Sequence, residues 1–432
     1  MRIILTQEAS FEETFRRIRE RGRVFDDELW RVVKGILDDV AIRGDQALFE
    51  YTLKFDGHAV NRGDVELSHH QKEEALKKVD PRDREILEMA AERIDRFHRR
   101  QVMAGWQDTD EEGIELGQRV TPLERVGIYA PGGLAAYPST VLMAAIPARI
   151  AGVGEMILVS PVKGGQMNPL IVAAAVISGV HRIFRIGGVQ AVAALAFGTT
   201  SVPKVDKIVG PGNAYVTMAK KMVFGQVGID MIAGPSEILV IADGGADPSF
   251  VAADLLSQAE HDELSSAILL TPVETLAGQV VAQVEQQLEK LERRSIAERS
   301  LRDFGAAIVT RDLDEAVAIA NRFAPEHLEL MVQNPGQLLE KIKNAGAVFL
   351  GYNTPEIMGD YIAGPNHILP TGGTARFSSP LSVYDFLKRT SVLSFSAAAL
   401  VKYGPPAERF ARLEGLDGHG RAIAVRLAQK KP

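Results

Sequence analysis

Residues 126–160 read VGIYAPGGLAAYPSTVLMAAIPARIAGVGEMILVS, and this stretch decides the fold. Its first and last apolar runs, 126–129 and 156–160, have the length of buried strands. The small-residue segment 140–150 between them has a helical pattern. A strand, a helix and a second strand in this order predict a parallel sheet that is covered by helices.

The same alternation continues along the chain. It predicts two further strands at 182–186 and 207–209, and helices at 170–178, 189–197 and 214–223. A second round of strands follows at 237–241, 267–270, 306–309, 328–331 and 347–350. We therefore predict two α/β units in tandem. Residues 1–105 and the last fifty residues have helical texture, with predicted helices at 11–21, 26–55 and 81–100.

Composition sets the class of protein. A chain of 432 residues predicts about three domains, and an apolar fraction of 46% is enough to fill their cores. The net charge of -7 is spread over mixed-sign helices, so we expect neither nucleic acid nor a membrane as partner. We see no signal peptide, and the apolar stretch 141–160 is interrupted by Pro147, Arg149 and Glu155. The expected location is the cytoplasm.

The sequence contains no cysteine. This absence excludes disulfides, thiolate zinc sites, iron–sulfur clusters and a covalent thiol intermediate on this chain. An enzyme of this composition that oxidises an aldehyde would have to act on the hydrated aldehyde.

Two side chains that can bind a metal lie three residues apart in the segment SQAEHD at 257–262. On a helix, Gln258 and His261 would project roughly 60° apart on one face. The alternative is an ordinary surface or capping histidine. Asp360 would supply an anionic ligand, and His419 lies in the small-residue stretch DGHG. Together the four donors suit zinc, provided that the fold brings them together.

An acid and an imidazole are neighbours in Ala324-Pro325-Glu326-His327, just before a predicted strand. Neighbours in a regular strand point to opposite faces, so both can serve one site only where the backbone is irregular, which Pro325 favours. A histidine can take a hydroxyl proton, and a carboxylate can orient or deprotonate water. An ordinary strand start is the alternative interpretation.

Glycine-rich turns follow several predicted strands, at 129–133, 187–190 and 210–215. Each lies between a strand end and a helix start, where free N–H groups favour phosphate. Tight turns explain each one equally well, but three in one α/β unit make it a candidate nucleotide site. The loop 233–237, AGPSE, lies between the two units and is a candidate ligand cleft, although Ser236 could simply close the turn.

These segments together resemble the histidinol dehydrogenase family over nearly the whole chain. The segments that carry the resemblance are 129–133, 233–237, 258–262, PEHLE at 325–329, NHILPTGG at 366–373 and LSVYDF at 381–386. Leu134 and Ile232 depart from what we expect of the family. The resemblance implies a zinc- and NAD-dependent four-electron oxidation of L-histidinol to L-histidine via L-histidinaldehyde, the last steps of histidine biosynthesis.

The resemblance also implies the roles of individual residues. Glu326 and His327 would be catalytic, and Tyr129, Gln190 and Asn213 would contact NAD. Zinc would be held by Gln258, His261, Asp360 and His419. The histidinol site would comprise Ser236, Gln258, His261, His327, Asp360, His367, Glu414 and His419. Family members are homodimers that exchange terminal segments, so Glu414 and His419 would complete the partner's site.

The expected fold class is thus α/β, with two tandem Rossmann-like units on parallel sheets and helical N- and C-terminal segments used in dimerisation. The expected domains are an N-terminal segment 1–25, a first α/β domain of 26–125 with 237–375, an NAD-binding domain 126–236, and a C-terminal tail 376–432. Two alternatives stay open: a zinc hydrolase that uses Glu326 as base, which would leave the glycine-rich turns without a role, and a noncatalytic nucleotide sensor.

Overall fold

The structure is a computed structural model that describes residues 1–22, 27–132, 137–162 and 164–429. Leu134, Gly133 of the first glycine-rich turn and the predicted helix start at 26 lie outside the described residues. The chain divides into two compact units. The first comprises Met1–Gln101 and Leu123–Phe386, and the second comprises Val102–Pro122 and Leu387–Pro432.

A five-stranded parallel sheet forms one half of the first unit. Its strands are β4 (Arg125–Tyr129), β5 (Glu155–Val159), β6 (Arg182–Phe184), β7 (Lys207–Val209) and β8 (Gly228–Ile229). Their order across the sheet is β6-β5-β4-β7-β8. The chain therefore winds in one direction from β4 to β6 and then crosses back to β7. This reversal leaves a crevice at the carboxyl ends of β4 and β7.

A six-stranded parallel sheet forms the other half. Its strands are β1 (Arg2–Leu5), β9 (Glu237–Ala242), β10 (Ser266–Thr271), β11 (Ala306–Val309), β12 (His327–Met331) and β13 (Ala347–Leu350). Their order is β1-β11-β10-β9-β12-β13. From β9 to β13 the winding repeats that of the first sheet, and the direction reverses between β9 and β12. The two sheets confirm the tandem Rossmann-like units.

Helices cover both sheets. In the first unit they are α1 (Phe11–Arg19), α2 (Asp27–Arg43), α3 (Asp45–Asp56), α4 (His69–Leu76), α5 (Pro81–His98), α6 (Pro138–Ala151), α7 (Pro169–Ser178), α8 (Gly188–Phe197), α9 (Ala214–Val223), α10 (Pro248–Ala259), α11 (Glu274–Leu288), α12 (Arg294–Phe304), α13 (Leu313–Phe323), α14 (Pro335–Leu339) and α15 (Glu356–Tyr361). Several begin at side-chain caps, such as Asn168, Asp247 and Asp312, each of which accepts from a backbone N–H of the first turn.

The core follows from the alternation of strand side chains. Along β9, Leu239 and Ile241 join one apolar cluster while Ile238 and Val240 join another. All of them are fully buried, and each such side chain contributes about 1.5–3 kcal/mol by leaving water. Because both faces of the sheet are covered, apolar residues predominate in its strands. A charged residue in such a strand is therefore a departure that calls for a partner.

The second unit contains an antiparallel sheet of β2 (Trp106–Thr109), β3 (Ile114–Pro122) and β14 (Leu387–Phe395), in the order β14-β3-β2. It also contains α16 (Ala397–Leu413) and α17 (Asp417–Ala428), which pack on each other. Large apolar side chains are exposed here, among them Leu393 at 64%, Phe410 at 64% and Leu413 at 68%.

The sequence predicted the strands of both parallel sheets except β8 and β1. The prediction of only helical texture at the N-terminus was incomplete, because β1 pairs with β11 from Arg2 to Leu5. The antiparallel sheet was also not predicted. In the parts of the chain that the structure describes, no helix is both long and apolar enough to span a membrane.

Candidate active site

The candidate site lies at the amino ends of β9 and β12, on either side of the point where the winding of the six-stranded sheet reverses. His327 pairs with Ile238, so the preceding residues Glu326 and Glu237 come side by side. The backbone is irregular just before them. Ala324 ends α13 with φ 56°, a conformation that non-glycine residues rarely adopt. Glu326 Oε2 consequently lies 3.9 Å from His327 Nδ1, so the two neighbours share one site.

The carboxylate of each of Glu326 and Glu237 accepts a hydrogen bond from the backbone N–H of the other. Glu326 Oε2 accepts a hydrogen bond from Glu237 N at 3.0 Å, and Glu237 Oε2 accepts one from Glu326 N at 3.3 Å. Arg21 neutralises Glu237 through a contact of 3.0 Å between Nη2 and Oε1. Burial raises the pKa of Glu237, although the charge of Arg21 opposes that shift. Burial also raises the pKa of Glu326, to about 8, although nearby His327 lowers it.

The imidazole of His327 is fixed on one side and open on the other. Its Nδ1 lies 3.1 Å from Glu237 O, 3.0 Å from the Gln258 amide and 3.5 Å from Glu356 Oε2. Its Nε2 is buried, has no hydrogen-bond partner among the described residues and lies 3.6 Å from Asp360 Oδ1. Burial disfavours the charged ring, but Glu356, Glu326 and Asp360 outweigh it and raise the pKa of His327 well above its usual value. The same carboxylates stabilise the charge that the neutral ring gains when it takes a proton.

Gln258 and His261 lie at the end of α10. The helix ends at Ala259, so Gln258 is in its last turn and His261 in the turn that follows, rather than within the helix as the sequence suggested. His261 Nδ1 donates to Ser257 O at 2.9 Å. That bond leaves the other ring nitrogen as an acceptor, which is the arrangement typical of metal-binding histidines.

The Gln258 amide is buried among acceptors. The orientation that satisfies it places the nitrogen 3.2 Å from Glu237 O, 3.0 Å from His327 Nδ1 and 3.2 Å from Glu356 Oε2. The amide oxygen then points away from those acceptors. Glu356 is itself buried, accepts from Ser257 Oγ at 2.8 Å, and has a pKa that burial raises to about 7. An amide oxygen that is held in this way can serve as a metal ligand.

Asp360 and His367 lie beside this group, and both are partly buried. His367 Nδ1 donates to Asp360 O at 2.9 Å, and burial lowers the pKa of His367, which favours the neutral ring. Burial would raise the pKa of Asp360, but His327 outweighs it and the pKa is lowered. Asp360 is therefore an anion beside His327. Ser236 is half-buried directly before β9, and its carbonyl accepts from Arg21 Nη2 at 3.3 Å.

Two expected site residues belong to the second unit. Glu414 ends α16 and His419 lies in the first turn of α17, and both are exposed. Within the ranges that the structure describes, no three His, Asp or Glu side chains form a group able to hold a metal ion. The predicted donor set includes a glutamine, and its fourth member is His419.

The residues expected to contact NAD lie at the carboxyl edge of the five-stranded sheet. Tyr129 ends β4, Gln190 is in the first turn of α8, and Asn213 caps α9 by accepting from Val216 N at 3.1 Å. Tyr129 Oη accepts from Gly188 N at 3.0 Å. Tyr129 and Asn213 thus flank the crevice between β4 and β7, where ligands of such sheets bind.

Close backbone packing explains one of the glycines at this edge. Gly210 has φ 108°, and a Cβ there would lie 2.1 Å from Tyr129 O. Gln190 has no comparable packing explanation: it is fully buried, and neither amide atom has a hydrogen-bond partner in the described structure. An unpartnered buried amide indicates a missing ligand or water.

Several residues of the site were not identified from the sequence. Glu237, Glu329 and Glu356 are buried carboxylates, and Glu356 N donates to Glu329 Oε1 at 2.8 Å. A signal was present for two of them. Glu237 and Glu329 stand in the otherwise apolar strands EILVIA and HLELM, where a charge needs a partner.

Comparisons with known proteins identify the family. A sequence model of the family described as histidinol dehydrogenase matches residues 19–427. The chain is 55% identical over 428 residues to the histidinol dehydrogenase of Geobacter sulfurreducens, covering 99% of this chain and 100% of that protein. It is 53% identical to that of Syntrophotalea carbinolica, covering 99% of each chain.

A solved structure is similar throughout. The crystal structure of histidinol dehydrogenase from Elizabethkingia anophelis superposes with a TM-score of 0.93 at 39% identity, covering 99% of this chain and 98% of that one. The identity, the coverage and the shared fold agree. The chain belongs to the histidinol dehydrogenase family of oxidoreductases, which acts in histidine biosynthesis.

Proposed function

We propose that the site oxidises L-histidinol to L-histidine through L-histidinaldehyde, with zinc as the metal and NAD as the oxidant. The observation that carries this proposal is that buried Gln258, Glu326 and His327 lie beside partly buried Asp360 at the switch point of the six-stranded sheet. Together they combine two candidate acid–base groups with two candidate ligands.

The residues present fit a zinc ion. Gln258 would offer its amide oxygen, His261 its free ring nitrogen and Asp360 its carboxylate. His419 of the partner subunit would supply the fourth donor. Zinc, when bound, would clamp the amino and imidazole nitrogens of histidinol and so fix the carbinol carbon. The buried amide of Gln190 likewise fits a polar group of NAD, which would accept a hydride in each oxidation.

His327 would handle the proton of both oxidations. In the first, Nε2 removes the proton of the alcohol hydroxyl as a hydride leaves the same carbon, and an aldehyde results. The carboxylates of Glu356, Glu326 and Asp360 stabilise the imidazolium that forms. In the second, His327 takes a hydroxyl proton of the hydrated aldehyde as the second hydride leaves, and the carboxylic acid forms.

Glu326 would act between the two oxidations. Its carboxylate takes a proton from water as the water oxygen bonds to the aldehyde carbon. The imidazolium of His327 gives its proton to the former carbonyl oxygen, which yields the hydrated aldehyde and the neutral ring that the second oxidation needs. No thiohemiacetal on this chain can replace that step, because the chain contains no cysteine. Ser236 and His367 would line the substrate pocket, the serine at the entry to β9 and the neutral imidazole beside Asp360.

We also propose a homodimer with shared active sites, in which Glu414 and His419 serve the other subunit. In the second unit these two residues are exposed, as are Leu393, Phe410 and Leu413. Exposed apolar surface on this scale is typical of a protein interface. From residue 387 onward, the dimerisation tail expected at 376–432 belongs to this unit. The tail and the remaining expected domain boundaries are part of this proposal.

Two assays test the proposal. Formation of NADH from NAD and L-histidinol, two per substrate, separates it from a zinc hydrolase, which would form none. Mixed dimers of an Asp360→Ala chain and a His419→Ala chain test the shared site. Each variant alone should be inactive, and mixing should restore part of the activity because one of the two sites regains all its ligands. No recovery on mixing, with dimers present, would contradict the shared site.

A further inference from the structure

We propose that Arg21 is a positioning residue for Glu326, a role that rests on the function proposed above for Glu326. Arg21 lies just beyond the end of α1, in the N-terminal segment, and is not among the residues expected to bind the substrate or the metal. Its side chain is 1% exposed, and that of its partner Glu237 is 2% exposed. A buried ion pair often contributes little net stability. The role of this pair is therefore sought in the residues that it holds in place.

The guanidinium of Arg21 is fixed by several acceptors. Nη2 donates to Glu237 Oε1 at 3.0 Å and to Ser236 O at 3.3 Å. Nε donates to Leu264 O at 2.8 Å, and Nη1 donates to Ile18 O at 2.9 Å. A planar fork with acceptors in four places has one orientation. Arg21 therefore ties the AGPSE loop to the N-terminal segment.

The next residue supports the same contact. Gly22 has φ 72°, and a Cβ there would lie 3.0 Å from Cγ and Cδ of Pro235. The backbone beyond Arg21 thus lies directly against the loop that leads into β9. The N-terminal segment thus contacts this loop through the Arg21 side chain and through the backbone at Gly22.

The coupling from Arg21 to Glu326 runs through a single carboxylate. Glu237 accepts from Arg21 with Oε1 and from Glu326 N with Oε2, while Glu326 Oε2 accepts from Glu237 N. Without Arg21, Glu237 would be a buried carboxylate with no cation, which must either protonate or move. Either change weakens the acceptor that holds Glu326 N. His327 is affected less, because its partner in Glu237 is the backbone carbonyl, which the sheet fixes.

Comparing the oxidation of the aldehyde with its reduction separates this positioning role from a purely structural one. Oxidation of L-histidinaldehyde by NAD needs a water molecule that Glu326 activates, whereas reduction of the same aldehyde by NADH needs none. We expect Arg21→Met in the zinc-loaded dimer to slow aldehyde oxidation ~10- to 100-fold, the scale of a displaced catalytic group, and to change aldehyde reduction less than ~3-fold. Arg21→Lys, which keeps the charge but not the fork, should fall between.

Arg17→Met is the matched control, because Arg17 is exposed on α1, four residues before Arg21, and donates to the Asp303 carbonyl at 3.4 Å. It should leave both rates unchanged. Equal losses in both directions of the Arg21 variants, or no loss in either, would overturn the proposal. If Arg21→Met does not fold, Arg21→Lys tests the proposal by the same comparison, the loss in aldehyde oxidation relative to the loss in aldehyde reduction. Failure of the proposed function itself is distinguishable, because the unsubstituted enzyme would then lack NAD-dependent oxidation of either substrate.

Discussion

Nε2 of His327 lies 3.6 Å from Oδ1 of Asp360. The distance exceeds a normal hydrogen bond; the His327 side chain is 5% exposed and that of Asp360 16%. The proposed proton acceptor and a proposed zinc ligand thus lie near enough for one substrate hydroxyl to contact both.

His327→Asn should retain zinc but lose most of its oxidation activity. Asparagine can still donate to Glu237 O, the partner of Nδ1 in the histidine, but it has no group that takes a proton near neutral pH. We expect both oxidations to slow by at least ~100-fold, the usual scale for loss of a general base. Zinc content by metal analysis and NADH formation are the measurements. His69→Asn, at a side chain that is 88% exposed, is the control. Near-normal turnover in the His327 variant would refute the role.

Glu326→Gln should affect the hydration of the aldehyde more than the oxidation of the alcohol. Glutamine can still accept from Glu237 N, as Glu326 does, but cannot take a proton from water. Single-turnover NADH formation resolves the two hydride transfers, and the second should be slowed more. Equal slowing of both would show that Glu326 does not act on water specifically.

The pH dependence of aldehyde oxidation should report the same carboxyl group. Burial raises the pKa of Glu326 to about 8. The ionised form is the base, so kcat/KM for aldehyde oxidation should rise as the pH increases through about 8 and fall below it. That limb should disappear in Glu326→Gln and be absent from aldehyde reduction by NADH. An unchanged limb in the variant would assign it to another group.

Removal of the metal should abolish NADH formation and leave the fold in place. Gln258 and His261 are held by the protein itself, through Glu237 O and Ser257 O respectively. A chelator followed by dialysis should therefore give a folded protein by circular dichroism that regains activity with added zinc. Asp360→Ala is the comparison and should regain little. Full activity in a metal-free preparation would rule out the assignment.

The sequence predicted much of the fold because both parallel sheets are covered on both faces. Their strands are short apolar runs between helices, and β9 and β10 are buried along their whole length. The antiparallel sheet gave no such signal. β14 is exposed along almost its whole length, so its side chains show no alternation of buried and exposed positions.

The candidate site was predictable where chemistry-bearing residues stand in loops, as Glu326 does. It was not predictable where a residue acts through another. Glu356 looks like an ordinary first-turn carboxylate of α15, and only the fold shows that it faces the imidazole of His327 and the amide of Gln258. The irregular backbone that lets Glu326 and His327 share a site was assigned to Pro325, whereas the positive φ belongs to Ala324.

Lys220→Met should destabilise the five-stranded half of the first unit. Lys220 and Asp230 form an ion pair with side chains 3% and 1% exposed. Lys220 Nζ also donates to Gly210 O at 2.8 Å, while Gly210 N donates to Asp230 Oδ2 at 2.7 Å. The pair therefore fixes the turn at the proposed NAD crevice. Removing the lysine leaves a buried carboxylate with no cation, which costs about 3–5 kcal/mol.

The measurement is denaturant unfolding of both variants at one protein concentration, because a dimer's stability depends on concentration. Lys221→Met makes the same chemical change at the adjacent exposed position and should stay within about 0.5 kcal/mol of the unsubstituted protein. NAD affinity should fall in the Lys220 variant alone, since Gly210 leads directly into the turn that ends at Asn213. Equal stability of the two variants would mean that Asp230 finds another partner in the fold.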